Sequence, residues 1–212
     1  MNRTIKVIIS FFVFLTYSFP VFPQPADFKV KTYTTENGLP HNQVREIAQD
    51  QYGFLWVATW DGLACFDGLE FRKFYHVPGD STTLPYFEIH DLAIDKDNTV
   101  WVIAKHLCAY DREKDLFITY SLASAHYMRS DQAYSIATDK DSCLYVWGDH
   151  GLERFNPVTK RFDAVELVDP NTKADHFEIA QISIDQQNNL WFFVGSVRNA
   201  AVITGSGFSD SG

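Results

Sequence analysis

Short apolar segments alternate with polar turns through most of the chain. The clearest run lies between Val44 and Tyr75, where the segments alternate apolar and polar positions and are rich in β-branched and aromatic residues. Both features are typical of β-strands. We expect one antiparallel sheet here, with strands at Val44–Gln49, Phe54–Thr59, Leu63–Phe66 and Glu70–Tyr75.

This run of strands recurs along the chain. In each copy an aspartate precedes an aromatic residue by six positions, and successive copies are 45, 44 and 46 residues apart. The pairs are Asp50 with Trp56, Asp95 with Trp101, Asp139 with Tyr145, and Asp185 with Trp191. A period in this range, with one aromatic strand in each unit, predicts a repeat architecture. We expect the aromatic residue to be buried on the second strand of its unit.

Four antiparallel strands in each unit, joined by short turns, are typical of the blades of a β-propeller. The sequence therefore predicts an all-β protein with about three complete four-stranded blades and part of a fourth. We place blade 1 at 44–88, blade 2 at 89–133, blade 3 at 134–178, and a partial blade 4 with a polar tail at 179–212. Complete rings have roughly 4–8 blades, so a closed four-bladed ring and a fragment of a larger ring both stay open at this point.

The segment before blade 1, residues 23–43, combines a strand pattern with a linker. Phe28–Tyr33 alternates apolar and polar positions, and the residues that follow are rich in turn formers. The spacing of Phe28–Tyr33 from Val44 is that of a fourth strand preceding the first strand of the next blade. We therefore expect this segment to be an outer strand that closes the ring.

Residues 1–22 have the layout of a secretory signal. Arg3 and Lys6 precede an apolar run, Val7–Leu15, which is too short for a membrane span. We expect export, and hence a periplasmic or otherwise extracytoplasmic location. An uncleaved N-terminal anchor is the alternative, because no clean small-residue cleavage site precedes Ala26.

The net charge is −9, and no cluster of lysine and arginine interrupts the acidic balance. Binding of a phosphate backbone needs a basic surface, so the composition argues against a nucleic acid as partner. Three cysteines, Cys65, Cys108 and Cys143, cannot all pair internally, and we expect small buried side chains. No nucleophile elbow, phosphate-binding loop, dinucleotide fingerprint or compact metal-ligand spacing is visible. We therefore expect no catalytic residue, cofactor or metal.

The first unit carries a longer pattern, a Gly-Leu opening followed by D-x-x-G-x-L-W-[IV]-x-T-x-x-G-L-x-x-[FY]-D. Its positions are filled by Gly38, Leu39, Asp50, Gly53, Leu55, Trp56, Thr59, Gly62, Leu63, Phe66 and Asp67. The stretch 37–68 thus resembles the periplasmic propeller repeat of two-component regulators, as in the N-terminal sensor region of hybrid two-component histidine kinases. Blade 3 resembles the repeat less completely, with Tyr145 in the tryptophan position.

The resemblance implies an extracytoplasmic sensor module that binds an oligosaccharide or other glycan breakdown product. The signal would pass to a histidine kinase across the membrane, of which no motif is visible in this sequence. The resemblance also implies a ring of about seven blades, so that this chain would be a fragment. The remaining blades and the kinase of the parent protein would be its partners, and the full-length protein would form a homodimer.

The candidate ligand site lies at the turns between the second and third strands. In propellers these turns gather on one face with the loops that connect successive blades. Tryptophan can stack on the C–H face of a sugar ring, while Asp, His and Lys can bind its hydroxyls. We predict that the site is formed by Trp60, Asp61, Lys105, His106, Trp147, Asp149 and His150. Packing between blades is the alternative for the two tryptophans.

Two other functions stay open on the sequence alone. A propeller enzyme, either a lyase or a hydrolase, would need a convergent acid–base pair. Glu88 with His90 is a nearby Glu/His set that such an enzyme could use. A secreted scaffold for protein interactions would need neither a catalytic pair nor a ligand site.

Overall fold

The computed structural model describes residues 29–120, 133–149, 151–165, 179–194 and 202–205. The chain divides into two compact units, residues 1–32 and 33–212. Of the first unit, residues 29–32 are described, and they form no regular secondary structure. All the described strands belong to the second unit. In the parts of the chain that are described, no helix is long and apolar enough to cross a lipid bilayer.

The second unit consists of consecutive antiparallel sheets, each a simple meander in chain order. The first sheet comprises β1 (Val44–Gln49), β2 (Leu55–Thr59), β3 (Gly62–Phe66) and β4 (Phe71–Phe74). The second comprises β5 (Asp91–Ile94), β6 (Val100–Ala104), β7 (His106–Asp111) and β8 (Leu116–Tyr120). The third comprises β9 (Ala133–Thr138), β10 (Leu144–Gly148), β11 (Gly151–Asn156) and β12 (Arg161–Val165). The last contains three described strands, β13 (Ile179–Ile184), β14 (Leu190–Val194) and β15 (Val202–Gly205).

These sheets confirm the predicted all-β architecture, a partial β-propeller with three four-stranded blades and a further, three-stranded sheet. The first strands of successive blades contact one another, β1 with β5, β5 with β9 and β9 with β13. That arrangement is expected when the first strand of each blade lies nearest the axis of a propeller.

The tight turn between the first two strands of each blade needs a residue that tolerates a positive φ angle. In blade 1 this is Gly53, with φ of 90°. Asn98, Ser142 and Asn188 take the same place in the next three sheets, with φ of 64°, 62° and 67°. The backbone therefore takes a positive φ angle at the same turn position of every sheet, on Gly, Asn or Ser.

The apolar core lies in the seams between blades. Trp56 and Trp101 are 1% and 2% exposed, and each contributes to the cluster between its own blade and the following one. Tyr145 occupies the same place between blade 3 and the last sheet. The predicted burial of these three aromatic residues is confirmed. Burying apolar surface at roughly 25 cal/mol per Å² makes such seams a main source of stability.

The cysteines are reduced and pack as small apolar residues, as the sequence suggests. Cys65 and Cys108 lie on opposite faces of their respective blades, yet both belong to the cluster between blades 1 and 2. All three cysteines are free thiols. Burial raises the pKa of the Cys65 thiol to about 11, so this thiol is protonated at neutral pH.

The seams are also linked by hydrogen bonds along the first strands. The Asp91 carboxylate accepts the Ser135 hydroxyl at 2.8 Å and the Ile136 backbone N–H at 2.9 Å, both from blade 3. The Ser135 hydroxyl oxygen accepts the Ile182 N–H of the next sheet at 3.2 Å. Glu46, Asp91, Ser135 and Gln181 are equivalent positions of the repeat. One side chain per blade can thus bind the backbone of the blade that follows.

The predicted strand at Phe28–Tyr33 is wrong for residues 29–33, which form no strand; Phe28 lies outside the described residues. Alternation alone does not make a strand, because a strand also needs a hydrogen-bonded neighbour, and each described strand pairs within its own sheet. Tyr33 instead packs edge-on against Phe66 and Phe71, with ring centroids 5.1 and 5.4 Å away. A short 3₁₀ helix, Thr35–Asn37, then turns the chain toward blade 1.

Candidate functional site

The turn between β2 and β3 is held by Gly62. Its φ is 98°, and an added Cβ would lie 2.6 Å from the backbone oxygen of Phe74. Only glycine fits such a close approach without a shift of the backbone. The Gly62 N–H donates to the carbonyl oxygen of Phe87 at 2.7 Å. The turn is therefore fixed against the loop that leads to blade 2, and it presents Trp60 and Asp61 at a defined place.

Trp60 lies at the surface and is 37% exposed. The Arg45 guanidinium lies 4.7 Å from the centre of the indole, a cation–π contact. Asp61 is exposed, and its backbone N–H donates to the Thr59 hydroxyl at 3.3 Å. Both predicted residues are therefore accessible to a ligand on this face.

In blade 2 the shorter turn places Lys105 and His106 at the corresponding position. Lys105 has a positive φ of 66°, and its carbonyl oxygen accepts the N–H of Ala133 at 3.0 Å. His106 begins β7, and both side chains are half-buried. The Lys105 turn is thereby joined to the first strand of blade 3.

In blade 3 the predicted residues separate. Trp147 is half-buried and packs against the cluster between blade 3 and the last sheet. Asp149 stays on the turn, where its carboxylate accepts the Tyr134 hydroxyl at 2.8 Å. His150 lies outside the described residues. Trp147 and Trp60 are not equivalent in the repeat, because Asp149 and Lys105 occupy the position that corresponds to Trp60.

The structure adds residues that the sequence prediction of the site left out. Arg45, His90 and Tyr134 lie at the beginning of the first strand in blades 1, 2 and 3, each five residues before the repeat aspartate. Aligning the repeats on Asp50, Asp95 and Asp139 would have brought these three positions together. Their side chains differ in every blade, as expected where a repeat position serves recognition rather than packing.

These residues form a continuous line of contacts across three blades. Arg45 contacts Trp60 and forms an ion pair with Glu88 at 2.8 Å. Glu88 lies 3.9 Å from His90 Nδ1. The His90 ring meets the Tyr134 ring edge-on, with centroids 5.6 Å apart, and Tyr134 reaches Asp149. We call this line the polar row; its members are Trp60, Arg45, Glu88, His90, Tyr134 and Asp149.

His90 has distinctive electrostatics within the polar row. Burial lowers its pKa, and the nearby positive charge of Arg45 lowers it further, while Glu88 opposes the shift. The imidazole is therefore neutral at pH 7. Its Nε2 atom is buried, and within the described part of the chain it has no hydrogen-bond partner. A neutral imidazole with a free nitrogen can donate to or accept from a ligand hydroxyl.

Within the described ranges, no group of three or more His, Cys, Asp and Glu side chains is arranged to hold a metal ion. The polar row combines an accessible indole face, a guanidinium, a neutral imidazole, a phenol and carboxylates. Such a mixture of stacking surface and directed hydrogen bonds suits a polar ligand with apolar faces.

Comparison with known proteins supports the class of protein that the fold defines. Residues 38–61 match the family "Two component regulator propeller". The chain thus carries this repeat in blade 1, and the resemblance seen in the sequence is confirmed. Over 61 residues the chain is 43% identical to Histidine kinase P4 of Formosa agariphila, covering 29% of this chain and 4% of that kinase.

Two solved structures have a similar fold. One is the extracellular domain of the hybrid two-component system BT3049 from B. thetaiotaomicron, with a TM-score of 0.59 and 19% identity. That match covers 82% of this chain and 31% of the other. The second is streptogramin B lyase, with a TM-score of 0.51 and 11% identity, covering 74% of this chain and 64% of the lyase. At these identities the likeness concerns the fold, and sensor and enzyme propellers share it.

Proposed function

We propose that this chain is the ligand-binding propeller region of an extracytoplasmic two-component sensor, and that it recognises an oligosaccharide. The main observation behind the proposal is the polar row, which joins side chains from the turns and strand ends of three blades into one surface. The two-component propeller repeat at residues 38–61 and the fold shared with an extracellular sensor domain support the class.

The proposed binding mode follows from the chemistry of the polar row. The Trp60 indole stacks on the C–H face of one sugar ring, and Arg45 keeps the indole oriented from behind. The free His90 nitrogen and the Tyr134–Asp149 pair bind hydroxyls of the next ring. In this proposal the propeller itself is not catalytic, and the bound state passes to a histidine kinase in the parent protein. Signal-directed export of residues 23–212 and a homodimeric parent belong to the same proposal.

The test is calorimetry of the chain against a set of oligosaccharides, with a matched pair of variants. Trp60→Ala should weaken binding by roughly tenfold to a hundredfold, since an interfacial aromatic is worth about 1–3 kcal/mol. Tyr52→Ala is the control, because Tyr52 is also an exposed aromatic but lies on the turn at the other end of blade 1. Equal affinity in both variants and the parent would reject the polar row as the site.

The Glu88–His90 contact favours one second candidate, an enzyme that uses this pair for acid–base chemistry. Glu88, however, is already ion-paired with Arg45, so its carboxylate is engaged in a contact within the polar row. Product formation from a bound oligosaccharide, lost in Glu88→Gln, would support the enzyme. Binding without turnover supports the sensor.

A further inference from the structure

A second concave site lies between blades 1 and 2, away from the polar row. It is a cleft of about 610 Å³, within the size range of small-molecule sites. Its lining comes from the β1–β2 turn, from strands β4 and β7 and from the turn after β7: Phe54, Phe71, Arg72, Phe74, Tyr110 and Arg112. Trp56 and Cys65 lie deeper in the same seam, and Asp67 and Glu70 also border the cleft.

The two arginines of the cleft are departures from the repeat. Arg112 follows Asp111 at the end of β7, and the corresponding residue after β11 is Pro157. Arg72 pairs with Cys65 across β3 and β4, and the corresponding residue of β8 is Ile118. The seam between blades 2 and 3 therefore lacks a guanidinium group at both of these positions.

Most polar groups at the cleft are already satisfied by one another. Arg72 donates to Asp115 and to the Tyr110 hydroxyl, and that hydroxyl donates to Asp115 at 2.7 Å. The Asp67 carboxylate accepts the backbone N–H groups of Leu69 and Glu70. Few hydrogen-bonding groups are left for a ligand rich in hydroxyls.

Arg112 is the exception. Its Nη2 atom donates to the buried Asp50 carboxylate at 2.7 Å, while its guanidinium lies over the rings of Tyr52 and Trp56. Its Nε–H is buried, and among the residues described in the structure it has no acceptor. A buried N–H without a partner destabilises the folded protein, because its hydrogen bond to water is lost and not replaced. An oxygen acceptor in the cleft would remove that cost.

We infer that the cleft between blades 1 and 2 binds a small neutral molecule with a flat apolar ring and one oxygen acceptor. The half-buried rings of Phe54 and Phe74 offer apolar surface for the flat ring. The ligand needs an oxygen acceptor because the buried Arg112 Nε–H lacks a hydrogen-bond partner among the described residues. The charges account for neutrality, because both arginines are paired with carboxylates, and Asp67 and Glu70 add further negative charge.

The test uses four soluble probes: benzamide, which is neutral, flat and carries a carbonyl acceptor; benzoate, its anionic counterpart; benzylamine, its cationic counterpart; and glucose. NMR of the arginine Nε–Hε groups during titration reports on the orphaned donor directly. Benzamide should shift the Arg112 signal with a Kd of about 1 mM, the range expected for a ligand of its size. Benzoate should bind at least about tenfold more weakly.

Arg112→Lys keeps a positive charge for Asp50 but removes the Nε–H, and it should weaken benzamide binding about tenfold. Lys73→Ala is the control, since Lys73 lies on the same strand β4 with its side chain on the opposite face. The wild-type titration does not depend on how well the variant folds. No shift with benzamide would overturn the site, and stronger binding of benzoate, benzylamine or glucose would overturn the ligand class.

Discussion

The Asp50 carboxylate holds the indole of Trp56: its Oδ2 atom accepts the Trp56 Nε1–H at 2.9 Å. The other oxygen, Oδ1, accepts the backbone N–H groups of Tyr52 and Phe54, which closes the turn between β1 and β2. Asp95 and Asp185 bind Trp101 and Trp191 in the same way, each at 2.8 Å. The six-residue spacing thus lets one carboxylate fix both a turn and the aromatic side chain that fills the seam.

Asp50 also forms an ion pair with Arg112 of blade 2, and the Asp50 side chain is fully buried. Burial by itself would raise the pKa of Asp50, but the hydrogen bonds from Trp56 and Arg112 outweigh that effect and lower it. Asp50→Asn should therefore destabilise the protein by about 3 kcal/mol, because the half-buried Arg112 guanidinium loses its counter-charge. The measurement is urea unfolding at pH 7.

Asp95→Asn is the matched variant. Asp95 makes the same turn and the same tryptophan bond, but Pro157 stands where Arg112 stands for Asp50. The Asp95→Asn variant should lose less free energy of unfolding, about 1–3 kcal/mol, because the indole N–H of Trp101 is left unsatisfied. Equal losses in the two variants would show that the ion pair to Arg112 contributes nothing beyond the repeated hydrogen bonds.

The seam between blades 2 and 3 should weaken as the pH rises. Burial raises the pKa of Asp91 to about 6, hydrogen bonds from Ile136, Ser135 and Leu92 oppose the shift, and the charge of Glu46 adds to it. The folded-state pKa of Asp91 lies above its ordinary value of 3.8, so ionising Asp91 costs free energy of folding. This cost is absent below pH 3.8 and builds up between pH 4 and 6. At neutral pH it is of the order of 1–3 kcal/mol.

Asp91→Asn removes this titration while keeping an oxygen that can accept the Ile136 N–H. The free energy of unfolding of the variant should therefore fall less than that of the parent as the pH is raised from 4 to 7. Parallel urea unfolding curves at several pH values check this. Identical pH dependence in the two proteins would contradict the assignment of the penalty to Asp91.

Tyr33 should act as part of the blade 1 core although it lies outside any strand. Its edge-on contacts with Phe66 and Phe71, at 63° and 80°, match those of Phe74 with Tyr110 and Phe117 in the next seam, at 62° and 83°. Tyr33→Ala should cost about 1–3 kcal/mol. Tyr52→Ala, at a tyrosine that is 70% exposed, should cost less than 1 kcal/mol by the same measurement. If the Tyr33→Ala variant were as stable as the parent, Tyr33 would not be part of the blade 1 core.

The sequence predicted the blades well because hydrophobic alternation, turn residues and the aspartate–aromatic spacing all specify local structure. The ends of the strands in blade 1 lie within one residue of the prediction, as Leu55 and Phe71 illustrate. Phe28–Tyr33 was wrong over residues 29–33 because pairing with a neighbouring strand, which no local pattern encodes, decides whether a segment becomes a strand. Tyr33 nevertheless packs against Phe66 and Phe71 of blade 1.

The candidate site was predicted less completely. Trp60 and Asp149 could be found from their turns, but Arg45, His90 and Tyr134 become visible when the repeats are superposed position by position. Trp147 shows that two similar sequence neighbourhoods can have different structural environments. Its neighbourhood in the sequence resembles that of Trp60, while its register places it on a strand facing the next seam. Which side of a strand a residue faces follows from pairing, and a shift of one position changes core into surface.

Tyr134 allows a test that separates recognition from folding. Tyr134→Phe removes the hydroxyl that donates to Asp149 and leaves the ring against His90. The free energy of unfolding should change by less than about 1 kcal/mol, since the Tyr134 side chain is exposed, whereas oligosaccharide affinity should fall about tenfold. Calorimetry and urea unfolding of the same sample check both. A large loss of stability with unchanged affinity would make the Tyr134–Asp149 bond structural.

The most direct test of the sensor proposal is NMR of the His90 imidazole during titration with an oligosaccharide that binds the chain. The polar row predicts that binding shifts the His90 Nε2 resonance, because this buried nitrogen gains its hydrogen-bond partner from the ligand. It also predicts simultaneous perturbation of the Trp60 indole N–H. A ligand that saturates the protein while both resonances stay in place would contradict the account.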